Sequence, residues 1–195
     1  MAIAQTVSIM HASQSALRTI GLLLAALLPL VVHGDFRLGT LQPRLTAEAL
    51  QLDGGFDLGL SPKVEEALGK GIELDVLIDI ELERPRTLLW NETLREWTLR
   101  REIRYHALSG QYVVSAENAP GAESFTVLGE ALRYLGAFES LSLKLDRALA
   151  SDTDYQVRVR ARLDVEALPA PLRPVAYSTP GWRLSSGWSA WKVPR

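Results

Sequence analysis

Residues 72–84 read IELDVLIDIELER. Ile72, Leu74, Val76, Ile78, Ile80 and Leu82 share one parity, while Glu73, Asp75, Asp79, Glu81 and Glu83 share the other, interrupted only by Leu77. Side chains along a strand alternate between faces, so this spacing predicts one long strand with an apolar face and an acidic face. A helix would spread the carboxylates around its axis.

Working outward, Arg84-Pro85-Arg86 should end that strand, because proline cannot donate to a ladder. Residues 87–90 read as a resumption of it, and Asn91-Glu92 as a turn. Residues 97–107 alternate again, with Trp97, Leu99, Ile103, Tyr105 and Ala107 on one parity and Arg101 as the charged exception. Ser109-Gly110 predicts a tight turn into residues 111–115, and residues 118–123 (NAPGAE) read as a loop. A second long amphipathic strand is predicted over residues 155–165, with Arg158, Arg160 and Arg162 on its polar face. Opposite charges across a ladder stabilise it and like charges repel, so at least one arginine group, Arg100 and Arg104 or Arg158, Arg160 and Arg162, should face the acidic stripe in an antiparallel pairing.

On the N-terminal side, Asp53-Gly54-Gly55 reads as the turn of a hairpin formed by residues 45–52 and 56–60. Residues 36–41 suggest an edge strand. Ser61-Pro62 opens a short helix, with Ser61 as its cap and Gly69 and Gly71 at its end. A second helix is expected over residues 125–135, capped by Ser124 and closed by Gly136, followed by a strand over residues 138–145. Asp152-Thr153-Asp154 suggests a turn, and the proline-rich residues 168–174 an extended connector. The fold class is therefore mainly β, an antiparallel sheet or β-sandwich with two short helices.

The first 34 residues read as a targeting segment. The apolar run over residues 20–32 follows Arg18 and is shorter than the roughly 20 residues needed to span a bilayer. Val32 and Gly34 suit a cleavage site before Asp35, leaving residues 35–195 as a single domain; Met10 is a possible alternative start. An uncleaved N-terminal anchor is the alternative, and the membrane would then be met only through residues 20–32. The protein has no cysteine, which excludes disulfides and lipidation at an N-terminal cysteine. Both methionines precede Gly34. Of 21 Lys+Arg only Arg18 precedes Asp35, leaving 20 against 23 Asp+Glu, a net −3 that does not suggest nucleic acid.

Catalytic signatures are sparse. His106 is the only histidine after Gly34, and no G-x-S-x-G elbow accompanies it. One histidine without cysteine does not make a zinc site, so no metal is expected. No G-x-G-x-x-G or P-loop suggests a cofactor, and none is expected. The candidate ligand or partner surface comprises Glu73, Asp75, Asp79 and Glu81 with the aromatic tail Trp182, Trp188 and Trp191. A plain closing strand over residues 182–191 would bury Trp182 and Trp188 and turn Trp191 outward. Exposed indoles would instead make a platform for a sugar, a peptide or a membrane interface.

The segments EALGKGIELDVLIDIELERPR, RYHALSGQYVV, EALRYLG, YQVRVRARLDVEALPAPLRP and WRLSSGWSAW, in that order, resemble a proteobacterial envelope family known as domain of unknown function 4390. The resemblance implies an exported or membrane-tethered bacterial protein. It supplies no activity, substrate or catalytic residue. The resulting expectation is a non-enzymatic periplasmic domain that binds another envelope component, such as a second envelope protein. The alternatives are a carboxylate-dependent hydrolase acting on a glycan, whose two carboxylates would stand about 5–10 Å apart beside a tryptophan, and a membrane-tethered accessory domain.

Overall fold

The computed structural model describes residues 35–194 except 118, 120, 147, 151 and 152. Residues 1–34, expected to be a targeting segment, and Asp152 of the expected turn lie outside the described residues. Among the described residues, no helix is long and apolar enough to cross a membrane.

The fold is mainly β, with two antiparallel sheets. Strands β1 (Phe36–Leu45), β2 (Ala49–Leu58) and β7 (Ala137–Lys144) form the smaller sheet in the order β1-β2-β7. The larger has six strands in the order β6-β5-β4-β3-β8-β9. These are β3 (Leu74–Arg84), β4 (Glu92–His106), β5 (Gln111–Ala116), β6 (Ala122–Phe125), β8 (Gln156–Leu163) and β9 (Ser189–Lys192). Helices α1 (Pro62–Gly69), α2 (Leu128–Gly136) and α3 (Arg173–Ser178) intervene.

β3 lies at the centre of the larger sheet, antiparallel to β4 on one side and β8 on the other. Leu74, Val76, Ile78, Ile80 and Leu82 are all buried, as the parity requires. They join Val157, Val159 and Ala161 of β8 and Leu50, Leu52 and Phe56 of β2 in one core. Fully burying such a side chain contributes roughly 1.5–3 kcal/mol, so this inner face dominates cohesion. The edge strands β6 and β9 have four residues each. Short edges limit pairing with a second chain.

The hairpin expected at Asp53-Gly54-Gly55 is corrected. β2 runs through these residues without a break, and the β1–β2 turn is residues 46–48, closed by Thr46 N–H donating to the Ala49 carbonyl at 2.9 Å. Gly54 and Gly55 have φ of 125° and 156° and form a bulge, where the register with β7 shifts. A Cβ on Gly54 would lie 1.9 Å from the Thr40 carbonyl oxygen, and one on Gly55 2.4 Å from that of Gly136. Positive φ and close backbone approach demand glycine in a bulge as much as in a turn.

α1 forms as expected: Ser61 Oγ accepts from Val64 N–H at 3.3 Å and donates to the Gly181 carbonyl at 2.6 Å. α2 starts later than expected. β6 occupies Ala122–Phe125, so Ser124 pairs with Val113 rather than capping, and the N-cap is Val127 with no side-chain bond. The apolar spacing of α2 was legible; its start was not, because strand pairing claimed Phe125. Residues 87–90 do not resume a strand, and Glu92 begins β4 rather than lying in a turn. The proline-rich connector contains the unexpected helix α3, with Pro174 in its first turn, where a missing amide costs nothing. The closing strand is only Ser189–Lys192, preceded by a 3₁₀ turn over Pro180–Trp182 and an isolated bridge from Ser185 to Arg162.

Candidate functional site

The outer face of the larger sheet carries the acidic stripe. Register places Asp79 opposite Arg160 and Glu81 opposite Arg158, so the expected arginine ladder forms on β8. One Asp79 oxygen accepts from Arg160 Nε at 3.1 Å, Arg160 Nη2 at 2.7 Å and Arg162 Nε at 2.9 Å. The other accepts from Thr98 Oγ1 at 3.1 Å. Arg158 Nη1 reaches both Glu81 and Glu83 at 3.0 Å. Glu83 also accepts from Gln156 at 2.6 Å and Asn91 at 2.9 Å.

This face is not the solvated stripe that alternation suggests: Asp75, Asp79 and Glu83 are buried. The arginine side chains lie across the shorter acids and remove them from water while pairing with them. Burial pushes the Asp79 carboxyl up, but the hydrogen bonds from Arg162, Arg160 and Thr98 and the charge of Arg162 outweigh it, leaving Asp79 below the ordinary carboxylate range. Glu83 is lowered likewise: burial opposes, and Gln156, Asn91 and Arg158 prevail. Glu81 is raised, because burial together with Glu83 and Glu96 outweighs Arg158.

The other end of the stripe is crowded. Asp75 lies directly across from Glu102 of β4. Carboxylate oxygens of Glu73, Asp75 and Glu102 all lie within 4.8 Å of one another. Burial raises Asp75, and Glu73 and Asp164 add to the shift against the opposing Arg100, 3.4 Å away. Burial also raises Glu102, reinforced by Glu73 and Asp75. Three carboxylates of this kind are oxygen ligands suited to a hard divalent cation, though calcium takes six to eight. Trp188 lies over Arg158 and Arg160, its ring centre 4.7 and 4.5 Å from the two guanidinium carbons.

The aromatic tail therefore divides. Trp182 is buried and unavailable as a platform. Trp188, expected in the core, is half-buried on the arginines, whereas Trp191, expected to face outward, lies opposite Val157 and packs against the core. Parity failed because the tail is not one strand: Gly187, at φ 66°, resets the alternation. His106 is exposed.

Two features escaped the sequence reading. The first is the β3–β4 connection, where Leu88, Leu89 and Trp90 are 93%, 64% and 90% exposed. At its base Arg84 and Arg86 both pair with Glu92, the latter at 2.6 Å. These hydrogen bonds hold Glu92 below the ordinary range. The available signal was Arg-Pro-Arg followed by an apolar triplet with no alternating partner. The second is Arg101, the exception on its parity, which is buried and donates from Nη1 to the carbonyls of Leu135 and Ala137, both at 2.6 Å. It lines a cavity of about 400 Å³ between β4, β5, α2 and β7.

A family model described as Domain of unknown function (DUF4390) matches residues 34–192. No curated protein and no solved structure matches the chain.

Proposed function

The chain belongs to the DUF4390 family, and from that premise we propose that residues 35–195 are an exported, non-enzymatic binding domain of the bacterial envelope that docks on a bilayer surface through the β3–β4 tip. The observation that carries this reading is the exposure of three consecutive apolar side chains, Leu88, Leu89 and Trp90. Isolated exposed apolar residues are ordinary, but a contiguous patch marks an interaction surface.

Lipid suits the tip better than a protein does. It is the connection of a hairpin, and a bilayer needs no matching pocket. Tryptophan favours the membrane–water interface, and leucine the acyl region below it. Arg84 and Arg86 share Glu92 at the base and are both partly exposed, which lets them meet anionic headgroups. Burying each large apolar side chain is worth roughly 1.5–3 kcal/mol. Three give reversible attachment, which a retained apolar run over residues 20–32 would make lasting.

The test is flotation of protein purified from the envelope with vesicles of phosphatidylethanolamine and phosphatidylglycerol. Wild-type protein should float, and L88S/L89S/W90S should lose at least tenfold in binding with an unchanged melting temperature. For a chain that begins at Asp35, equal flotation of both would refute the tip as the membrane contact. Intact mass of the same preparation checks processing: a chain beginning at Asp35 supports a cleaved signal, and one beginning at Met1 or Met10 supports an anchor.

A further inference from the structure

Arg101 sits where the alternation of β4 calls for an apolar side chain, between Leu99 and Ile103. It is only 7% exposed. Among the described residues no carboxylate lies within 4.0 Å of its guanidinium, and its Nε is buried with no hydrogen-bond partner. A buried cation ordinarily has a counter-charge, and an orphaned buried donor costs the full desolvation of that group. The two carbonyls on Nη1 lie at and just beyond the end of α2, whose C-terminus carries partial negative charge. They satisfy one nitrogen, and the Phe138 ring, 5.4 Å from the guanidinium carbon, adds a cation–π contact, but neither brings a negative charge. Burial accordingly pushes the guanidinium below its ordinary range.

The cavity that Arg101 lines, about 400 Å³, is walled by the aliphatic side chains Leu99, Val114, Leu141 and Leu143 and also by the polar residues Tyr134, Ser140, Ser142 and the exposed Glu139. Its volume is that of a small-ligand site, with an aliphatic stretch of wall and several polar groups to fix orientation. Its rim includes Ser140, whose φ of 51° is the only positive value at a non-glycine among the described residues. That conformation is held by Asp53, which accepts from the Ser140 amide at 2.9 Å. Strained backbone of this kind collects at binding sites.

We propose that this cavity binds a single-chain amphipathic anion, its acid head paired with Arg101 and its alkyl tail laid along Leu99, Val114, Leu141 and Leu143. The head supplies the missing counter-charge, and the tail covers the aliphatic part of the wall. Arginine suits this role because its planar fork matches a carboxylate or a phosphate monoester. The site is separate from the β3–β4 tip, and its occupancy does not depend on how the tip docks.

Calorimetric titration of the full-length protein, delipidated after purification, with dodecanoate, dodecyl phosphate and dodecanol, each below its micelle concentration, tests the site. One equivalent of dodecanoate or dodecyl phosphate should bind, with dodecanol at least tenfold weaker. The tighter of the two anions identifies the head as carboxylate or phosphate. Arg101→Gln should reduce the preference for anion over alcohol to near unity. Should that variant fail to fold, Ala116→Trp decides the matter, because it fills the cavity mouth from a half-buried position and leaves Arg101 in place; it should abolish binding of all three probes. Absence of binding by both anions, equal affinity for dodecanol and dodecanoate, or undiminished binding to Ala116→Trp would each overturn the proposal.

Discussion

β3 meets two neighbours with the same row of acids, and the two ladders are opposite in kind. Toward β8, Asp79 and Glu81 face Arg160 and Arg158. Toward β4, Asp75 faces Glu102 and Glu81 faces Glu96. The inner faces of β3 and β8 are apolar and buried, and that of β4 is apolar except at Arg101 and only partly buried, so register on both sides is set by the core. Charge then reinforces that register on the β8 side and opposes it on the β4 side. The stripe is thus two regions: a paired segment that ties strands together, and a crowded end at Glu73, Asp75 and Glu102 where like charge is tolerated because fifteen residues of β4 hold it there.

The largest effect should come from breaking the paired segment. Asp79→Ala strips three arginine contacts from one buried oxygen and leaves two guanidinium groups uncompensated. Removing one partner of a buried pair costs 3–5 kcal/mol, and because both arginines remain about one-third exposed a loss of about 2 kcal/mol in urea unfolding is expected. Asp79→Lys combined with Arg160→Glu should recover part of the loss suffered by Asp79→Lys alone, Arg162 remaining mismatched. No recovery would mean that the ladder's charges do not communicate.

A smaller effect should follow Trp188→Ala. The indole covers Arg158 and Arg160, and a cation–π contact of this kind contributes about 0.5–2 kcal/mol. Thermal melts should place the loss near 1 kcal/mol, well below that of Trp182→Ala, whose truncated side chain is in the core and should cost about 3–5 kcal/mol. Equal losses would restore Trp188 to a core role.

The smallest effect has the opposite sign. Glu102→Gln removes a like charge facing Asp75 and should stabilise by about 0.2–1 kcal/mol at pH 7. The pH profile sharpens the same contrast. Asp75, Glu81 and Glu102 titrate above their ordinary values when folded, so they oppose folding at neutral pH and this penalty lifts as pH falls through the raised values. Asp79 and Glu83 titrate below theirs, so their contribution persists above about pH 4 and is lost as pH falls further. Stability should therefore rise as pH falls through the raised values of Asp75, Glu81 and Glu102, and be lost below the ordinary carboxylate range at about pH 4. Glu102→Gln should flatten the rise and leave the collapse unchanged.

Wherever alternation ran over many residues, the sequence was readable. β3, β8 and their shared core follow from parity, as does the arginine ladder, because a slip of one residue would have turned every aliphatic side chain outward. Local signals failed where two structures share one signature. Asp53-Gly54-Gly55 fits a turn or a bulge, and only the distant Thr40 and Gly136 backbones decide for the bulge. The Trp90 segment was apolar enough to be taken for strand, although no neighbour pairs with it. Of the candidate surface, Asp75, Asp79 and Glu81 were rightly placed on one face, but sequence could not show that long arginine side chains would cover them. Arg101 announced itself as an exception to parity; that it lined a cavity depended on α2 and β7, both remote along the chain.

The pairing of Asp79 with Arg160 spans 81 residues of sequence, and this distance has a kinetic consequence. β3 and β4 are joined by a short connection and can zip early, but the other edge of β3 must wait for β8 to be delivered. Long-range pairings of this sort place folding in the slower, millisecond-to-second range. During that wait β3 is an unpaired edge of eleven residues with one wholly apolar face, the kind of template on which a second chain nucleates. The carboxylates of its outer face, not yet matched by arginine, repel the same strand of a neighbouring molecule. Once β8 arrives the repulsion becomes attraction, so the row that finally locks the sheet also guards its unfinished edge.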